Sequence, residues 1–266
     1  MLRSTLPAFL LVLAPLGAAH LAGPFQEPPP KPRTELTTEG DRVRGLMPKA
    51  YGGVDLLDGI RGFKFRLLPS QFEKQPDGSF LEKPGAPFEV EVDYRTGERS
   101  LRLEEVIDGQ SVVRLLGRNG QRCFVGGKAS EVPELLTVAQ EQASSILQFL
   151  DVYLGPPSGR LPLVWDRVRE RNGVSFYTFE ARSALNLPML LFIGMGSLRV
   201  ERVDLFDPKT GQRQRSLRFE EFEPVGGLPM PRALRIIDRA GDPLGLWRFE
   251  ALQLNPEFPE GRFEAL

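Results

Sequence analysis

Side chains able to do chemistry are sparse in this sequence, and their placement excludes more than it assigns. The only histidine is His20, at the end of a leader-like N-terminal segment. With no interior imidazole, a Ser-His-Asp or Cys-His nucleophile system has no base, and no His-ligated metal site can form. The one cysteine, Cys123, excludes an internal disulfide. It lies between Arg122 and Phe124 in a strand-like run and reads as a small core residue. Carboxylates are plentiful, but Glu104-Glu105 and Glu220-Glu221 are neighbours in strand-like runs, so each pair points to opposite faces and cannot share a proton. A glycosidase pair must flank its substrate across roughly 5 to 10 Å, and no spacing here selects two acids from the many. The pairs Gly52-Gly53, Gly126-Gly127 and Gly226-Gly227 lack the pattern of a phosphate-cradling loop and read as turn and close-packing residues. Arg167, Arg169, Arg171, Arg213 and Arg215 alternate with other residues and have acids nearby, as solvated strand faces do. No catalytic residue, metal or cofactor is assigned, and the chain reads as non-enzymatic.

The first 19 residues carry one positive charge at Arg3, an apolar run from Ala8 to Leu16, and the small residues Gly17, Ala18 and Ala19. This is the layout of a secretory signal, and the apolar run is well short of the roughly 20 residues a spanning helix needs. No cysteine near the cleavage site marks a lipid-anchored precursor, and there is no twin-arginine signal. The expectation is an exported protein, periplasmic or otherwise extracytoplasmic, with no transmembrane anchor after cleavage. Of the 34 Lys and Arg residues, Arg3 leaves with the leader against 35 Asp and Glu that remain, a net charge of −2. Such a balance gives no footprint for nucleic acid. Residues 20–47 contain Pro28-Pro29-Pro30-Lys31-Pro32 and read as a Pro-rich tether. Residues 48–266 read as the folded domain.

Within that domain the hydrophobic period is first helical, then two. Val54, Leu57 and Ile60 recur at helical spacing, with Pro48 placed for a first turn, so a short amphipathic helix is expected from Pro48 to Ile60. Phe63, Phe65 and Leu67 then alternate with Lys64 and Arg66, and Phe88, Val90, Val92 and Tyr94 with Glu89, Glu91 and Asp93. These are half-buried strands. Short turns at Arg95-Thr96-Gly97-Glu98, Asp108-Gly109 and Arg118-Asn119-Gly120 predict an antiparallel meander. It is interrupted from Val132 to Leu154, where Leu135, Leu136, Ala139, Ala143, Ile146, Leu147, Leu150 and Leu154 form one stripe. Gln140, Glu141, Ser144, Ser145, Gln148 and Asp151 form the other, which predicts an amphipathic helix. Strands resume after Leu161, with a tight turn at Asn172-Gly173. The segment Leu185 to Leu198 is the most apolar of the mature chain and has no clean period. It reads as a mobile lid or lipid or partner surface, or else as a buried loop or strand. In the last strand Trp247, Phe249 and Ala251 share one face while Leu252 and Leu254 take the other, which predicts a bulge or sharp curvature.

Several short signatures carry a resemblance. Leu205-Phe206-Asp207-Pro208-Lys209-Thr210-Gly211 precedes Phe219-Glu220-Glu221-Phe222, then Val225-Gly226-Gly227-Leu228-Pro229-Met230-Pro231. The chain closes on Leu252-Gln253-Leu254-Asn255-Pro256-Glu257-Phe258-Pro259 and Phe263. Together with Tyr51-Gly52-Gly53, Leu56 and Ile60, these resemble the bacterial outer-membrane lipoprotein-sorting superfamily, the periplasmic lipoprotein carriers and their relatives. The resemblance spans about residues 45–266 and departs from a typical carrier in its greater length, its tether and the segment 185–198. It implies an α+β fold: a strongly curved antiparallel sheet, an unclosed β half-barrel, with helices packed across its concave face and an apolar cavity between them. In members with known roles that cavity receives acyl chains of lipoproteins, or the domain senses envelope stress.

The reading is an exported, non-enzymatic binding protein that holds a lipid acyl chain or similar apolar ligand. Expected cavity-lining residues are Phe65, Val90, Val92, Leu101, Leu103, Leu147, Leu150 and Phe249. The expected partners are lipid or lipoprotein acyl chains, with an envelope protein as a further partner class. The alternative is an envelope interaction or stress-sensor module with a filled core and no ligand.

Overall fold

Two-residue turns set the architecture. Asp108-Gly109, Gly126-Gly127, Asn172-Gly173 and Gly226-Gly227 have positive φ at both positions, from 49° to 88°, the twist that carries one strand back along its neighbour. In the computed structural model, which describes residues 37–94, 100–117, 120–132, 145–183 and 186–263, such turns help build one antiparallel 14-stranded sheet. Its strands are β1 (Gly62–Lys74), β2 (Phe80–Pro84), β3 (Phe88–Asp93), β4 (Ser100–Ile107), β5 (Gln110–Gly117), β6 (Gly120–Val125) and β7 (Lys128–Ser130). There follow β8 (Val164–Arg171), β9 (Val174–Arg182), β10 (Pro188–Gly194), β11 (Val200–Phe206), β12 (Arg213–Val225), β13 (Leu228–Ile237) and β14 (Pro243–Leu254).

The spatial order is β7-β6-β5-β4-β3-β1-β14-β13-β12-β11-β10-β9-β8, with β2 paired to the second half of β1. First and last strands thus meet in the middle, and β7 and β8 are the two edges. The edges do not pair, so the sheet is an unclosed half-barrel. The chain leaving β7 starts β8 at the opposite end of the sheet. On that path lies helix α3, described over residues 145–154, and its Ile146, Phe149, Leu150 and Tyr153 join the core on the sheet's inner face. The expected helix start at Val132 is irregular backbone, and residues 133–144 lie outside those described. The turn at 95–98 and Arg118-Asn119 also lie outside them.

Two local expectations change. The helix expected from Pro48 to Ile60 is two helices, α1 (Thr37–Ala50) and α2 (Val54–Asp58). Pro48 sits in the last turn of α1, and Gly52 (φ 93°) and Gly53 (φ 101°) break the chain between them. A Cβ on Gly52 would lie 2.9 Å from the Gly227 carbonyl oxygen, so glycine lets the helix break seat on the β12–β13 turn. The helix begins at Thr37, inside the segment expected to be a tether, because Val43 and Met47 find fully buried places in the core. The segment 185–198 is no lid: it contains β10, paired on both sides, with Met189, Leu191 and Ile193 in the core. Leu190 and Phe192 are buried on its other face, where the Arg202 guanidinium lies 5.2 Å from the Phe192 ring. A strand buried on both faces has no period to read.

The bulge expected in the last strand is present. Lys64 faces Gln253 while Arg66 faces Glu250, and Ala251 has φ 49°. The extra residue returns Leu252 to the side already occupied by Trp247 and Phe249. Further register shifts occur in the β8–β9, β10–β11, β11–β12 and β13–β14 pairings, each adding local bend.

Candidate ligand-binding site

Pairing register decides what faces inward. Phe65 is opposite Val90, and Val90 opposite Leu103. Val92 is opposite Leu101, and on the other flank of β1 Leu67 is opposite Phe249. Directly opposed residues of an antiparallel pair share a face, so these side chains form one apolar inner wall across β4, β3, β1 and β14. All are buried, and all belong to one core cluster with Leu150, against which half-buried Leu147 packs. The structure therefore brings the eight expected residues into one connected cluster. Two clefts elsewhere, of ≈ 680 Å³ beside β8–β10 and the β11–β12 turn and of ≈ 350 Å³ between α1–α2 and residues 156–163, are lined by none of them.

The whole wall is buried, and the aromatic contacts of α3 fall on one part of it. Over β12 and β14 it meets aromatic rings of α3: Phe149 stacks on Phe249 at 4.8 Å and 15°, and lies 6.0 Å from Phe219. Tyr153 lies 5.3 Å from Phe219 and 6.2 Å from Phe222. Positive φ at Glu221 (58°) lets Phe219 and Phe222, three residues apart, both reach it. Tyr153 donates its hydroxyl hydrogen bond to the Pro229 carbonyl. Tyr51, 5.2 Å away, accepts the Val200 N–H at 3.0 Å, and burial pushes both hydroxyls well above the usual phenol value. The fully buried apolar residues of α3 are thus the expected Ile146 and Leu150 together with Phe149, Val152 and Tyr153, while the expected Leu147 and Leu154 pack against them partly buried. Ser145 and Gln148, expected on a wet face, are buried.

The acids do not converge for catalysis. Glu104 and Glu105 point to opposite faces, as expected: Glu104 accepts from Ser111 and pairs with Arg102 outside, while Glu105 takes the Arg114 guanidinium inside. On the outer face Glu91 is held by Arg262 at 2.8 and 3.0 Å, with Lys64 at 3.2 Å. Burial pushes its carboxyl up, but those bonds and the Arg102 charge outweigh burial and hold it below the usual value. Arg202, Asp204 and Ser216 form a second buried outer network. Asp207 caps its own turn, accepting from the Lys209 and Thr210 amides, which lowers its pKa. Among the described residues no three His, Cys, Asp or Glu side chains gather as metal ligands, and no helix is long and apolar enough to cross a membrane.

One residue on the wall escaped sequence reading. Arg114 is opposite Leu103 on one side and Cys123 on the other, so it faces inward while Val113 and Leu115 pack with Phe124 on the outer face. Burial raises the Cys123 thiol, against the opposing charge of Arg114. The signal was present in phase: Arg114 falls in step with Val112 and Leu116, not with Val113 and Leu115.

No family model and no curated protein matches the sequence. Solved structures do. A DUF1329 family protein from Desulfovibrio piger matches with a TM-score of 0.51 at 12% identity, over 84% of this chain and 96% of that one. A LolA superfamily protein from Nitrosomonas europaea matches with 0.51 at 12% identity, over 83% and 96%. A putative outer membrane lipoprotein-sorting protein domain from Vibrio parahaemolyticus matches with 0.50 at 10% identity, over 84% and 95%. The fold implied by the sequence resemblance is therefore the fold of this chain.

Proposed function

We propose that this protein works outside the cytoplasm as a non-enzymatic binding protein, holding a lipid acyl chain or similar apolar ligand against the inner wall of the half-barrel. The observation that carries this reading is the continuation of the apolar wall beyond the aromatic plug. The ring contacts of α3 fall on Phe249, Phe219 and Phe222, whereas Val90, Val92, Leu101 and Leu103 extend the same face across β3 and β4. In this reading those four residues form the contact wall, Phe65, Phe249 and Leu150 form its closed end, and Leu147 stands at its margin. The described relatives in fold include a domain named for lipoprotein sorting, which agrees with an acyl ligand.

Burial alone sets the ligand size. Each buried methylene contributes about 0.8 kcal/mol, association costs at least about 4 kcal/mol, and micromolar affinity needs about 8 kcal/mol net. Roughly 15 buried methylenes are required, so a palmitoyl-sized chain binds where an octanoyl chain does not. Native mass spectrometry of the purified protein and titration with long- and short-chain acyl probes test this. Leu147→Glu should abolish uptake while the unfolding midpoint stays near that of the parent, since Leu147 is only half-buried. A clean apo mass with no uptake of the long-chain probe would instead support an envelope interaction module with a filled core, a reading favoured by the close packing around Phe149 and Tyr153.

A further inference from the structure

We infer that the ligand is an amphiphile with an anionic head, and that Arg114 is the residue that receives the head; this rests on the acyl-binding reading above. The Arg114 side chain is 2% exposed and lies on the inner face among Leu103, Val112, Leu116 and Cys123. Its Nη2 donates to Glu105 Oε1. Its Nε and Nη1 have no acceptor among the described residues. Interior donors are nearly always satisfied, and a guanidinium keeps its charge at any ordinary pH. The unpartnered Nε and Nη1 therefore carry three N–H groups of a permanent cation, buried among apolar side chains.

Position gives those donors a meaning. Leu103, the residue directly across from Arg114, belongs to the wall proposed to hold the chain, and Leu101 follows two residues along. Leu101, Leu103 and Val90 are at most 1% exposed, so a chain binds there by displacing what now buries them, and it then ends beside the guanidinium. Carboxylate and phosphate oxygens match its planar fork, and the apolar surroundings strengthen that bond relative to water. Glu105 then has a defined effect: it neutralises the empty site and competes with the incoming anion. Arg114 and Glu105 thus act on head-group binding with opposite signs, which a purely structural ion pair would not do.

The test compares oleate with methyl oleate, below their aggregation limits at pH 8, in the full mature protein. The parent should bind oleate at least about tenfold more tightly than the ester, the scale of a charge-assisted contact. Arg114→Gln should erase the preference, and Glu105→Gln should enlarge it. If Arg114→Gln fails to fold, the sign of the Glu105→Gln effect decides alone. Equal binding of both probes by the parent, an unchanged preference in Arg114→Gln, or a weaker one in Glu105→Gln overturns the inference while leaving acyl binding intact. Displacement of oleate by micromolar inorganic phosphate also overturns it, since the site would then serve a free anion. If neither oleate nor its ester binds, the acyl reading itself falls.

Discussion

Replacing Phe149 by alanine removes the ring on which the inner face of the half-barrel closes. Phe149 is 1% exposed and contacts Phe249, Phe219 and Tyr153 at 4.8, 6.0 and 6.4 Å between ring centroids. A buried Phe→Ala change costs about 3–5 kcal/mol. The stacked and tilted pairs, worth roughly 0.5–1.5 kcal/mol each beyond burial, place this site toward the upper end, about 4–5 kcal/mol. For a domain of this size each kcal/mol lowers Tm by about 2–4 °C, so a fall of roughly 8–20 °C is expected. Urea unfolding followed by far-UV circular dichroism should show a lower midpoint with an unchanged slope, the sign of lost stability without a change in exposed surface. A loss below about 1.5 kcal/mol at unchanged slope would refute the packing argument, because α3 would then not be anchored to the sheet by this ring.

Gly52→Ala and Gly53→Ala should differ although both glycines have positive φ. At Gly53 (φ 101°, ψ 166°) a Cβ meets nothing within 4 Å, leaving only backbone strain of roughly 1–3 kcal/mol. At Gly52 a Cβ adds approaches of 2.4 Å to Leu56 and 2.9 Å to the Gly227 carbonyl oxygen, so its melting temperature should fall further; equal losses would show that α2 and the β12–β13 turn are not seated together. Glu91→Gln tests the outer ion network. The folded pKa of Glu91 lies below its usual 4.5, so its stabilisation is full above that value and is lost as pH falls through the folded pKa. The variant should lose on the order of 1–3 kcal/mol at pH 7, given partly exposed cationic partners. Its urea midpoint should also fall less than the parent's between pH 5 and 3, and identical pH slopes would rule out this assignment.

The strands were legible because their period and turns are local. Phe63, Phe65 and Leu67, and the turns at Asp108-Gly109 and Asn172-Gly173, lie where alternation and turn chemistry put them, and even the bulge at Ala251 was visible as a phase slip between Phe249 and Leu252. What failed locally was settled by distant partners. The start of α1 depends on burial of Val43 and Met47, and β10 loses its period because strands flank it and side chains cover both faces. Pro229 and Pro231 stand in β13 opposite Pro224 and Phe222, in a hairpin started by Gly226-Gly227. Phe149 and Tyr153 lay beside the expected stripe of α3, because helical spacing left two adjoining stripes open and only the sheet selects between them.

Topology connects these outcomes to the proposed site. The first strand pairs with the last at the centre of the sheet, so the edges β7 and β8 lie at its opposite ends, and α3 belongs to the link between them. A crossing helix with large rings near its end packs against β12 and β14, where Phe219, Phe222 and Phe249 meet it. The same crossing leaves β3, β4 and β5 beyond those ring contacts, and there the inner face carries Leu101 and Leu103 together with the Glu105 and Arg114 pair. An interior selected only to be filled would place an apolar side chain at position 114, in step with Val112 and Leu116. A buried cation with free donors is favourable there when a ligand supplies the missing acceptors, and this is why the polar end of the guest is assigned to β5 and not to the aromatic end of the barrel.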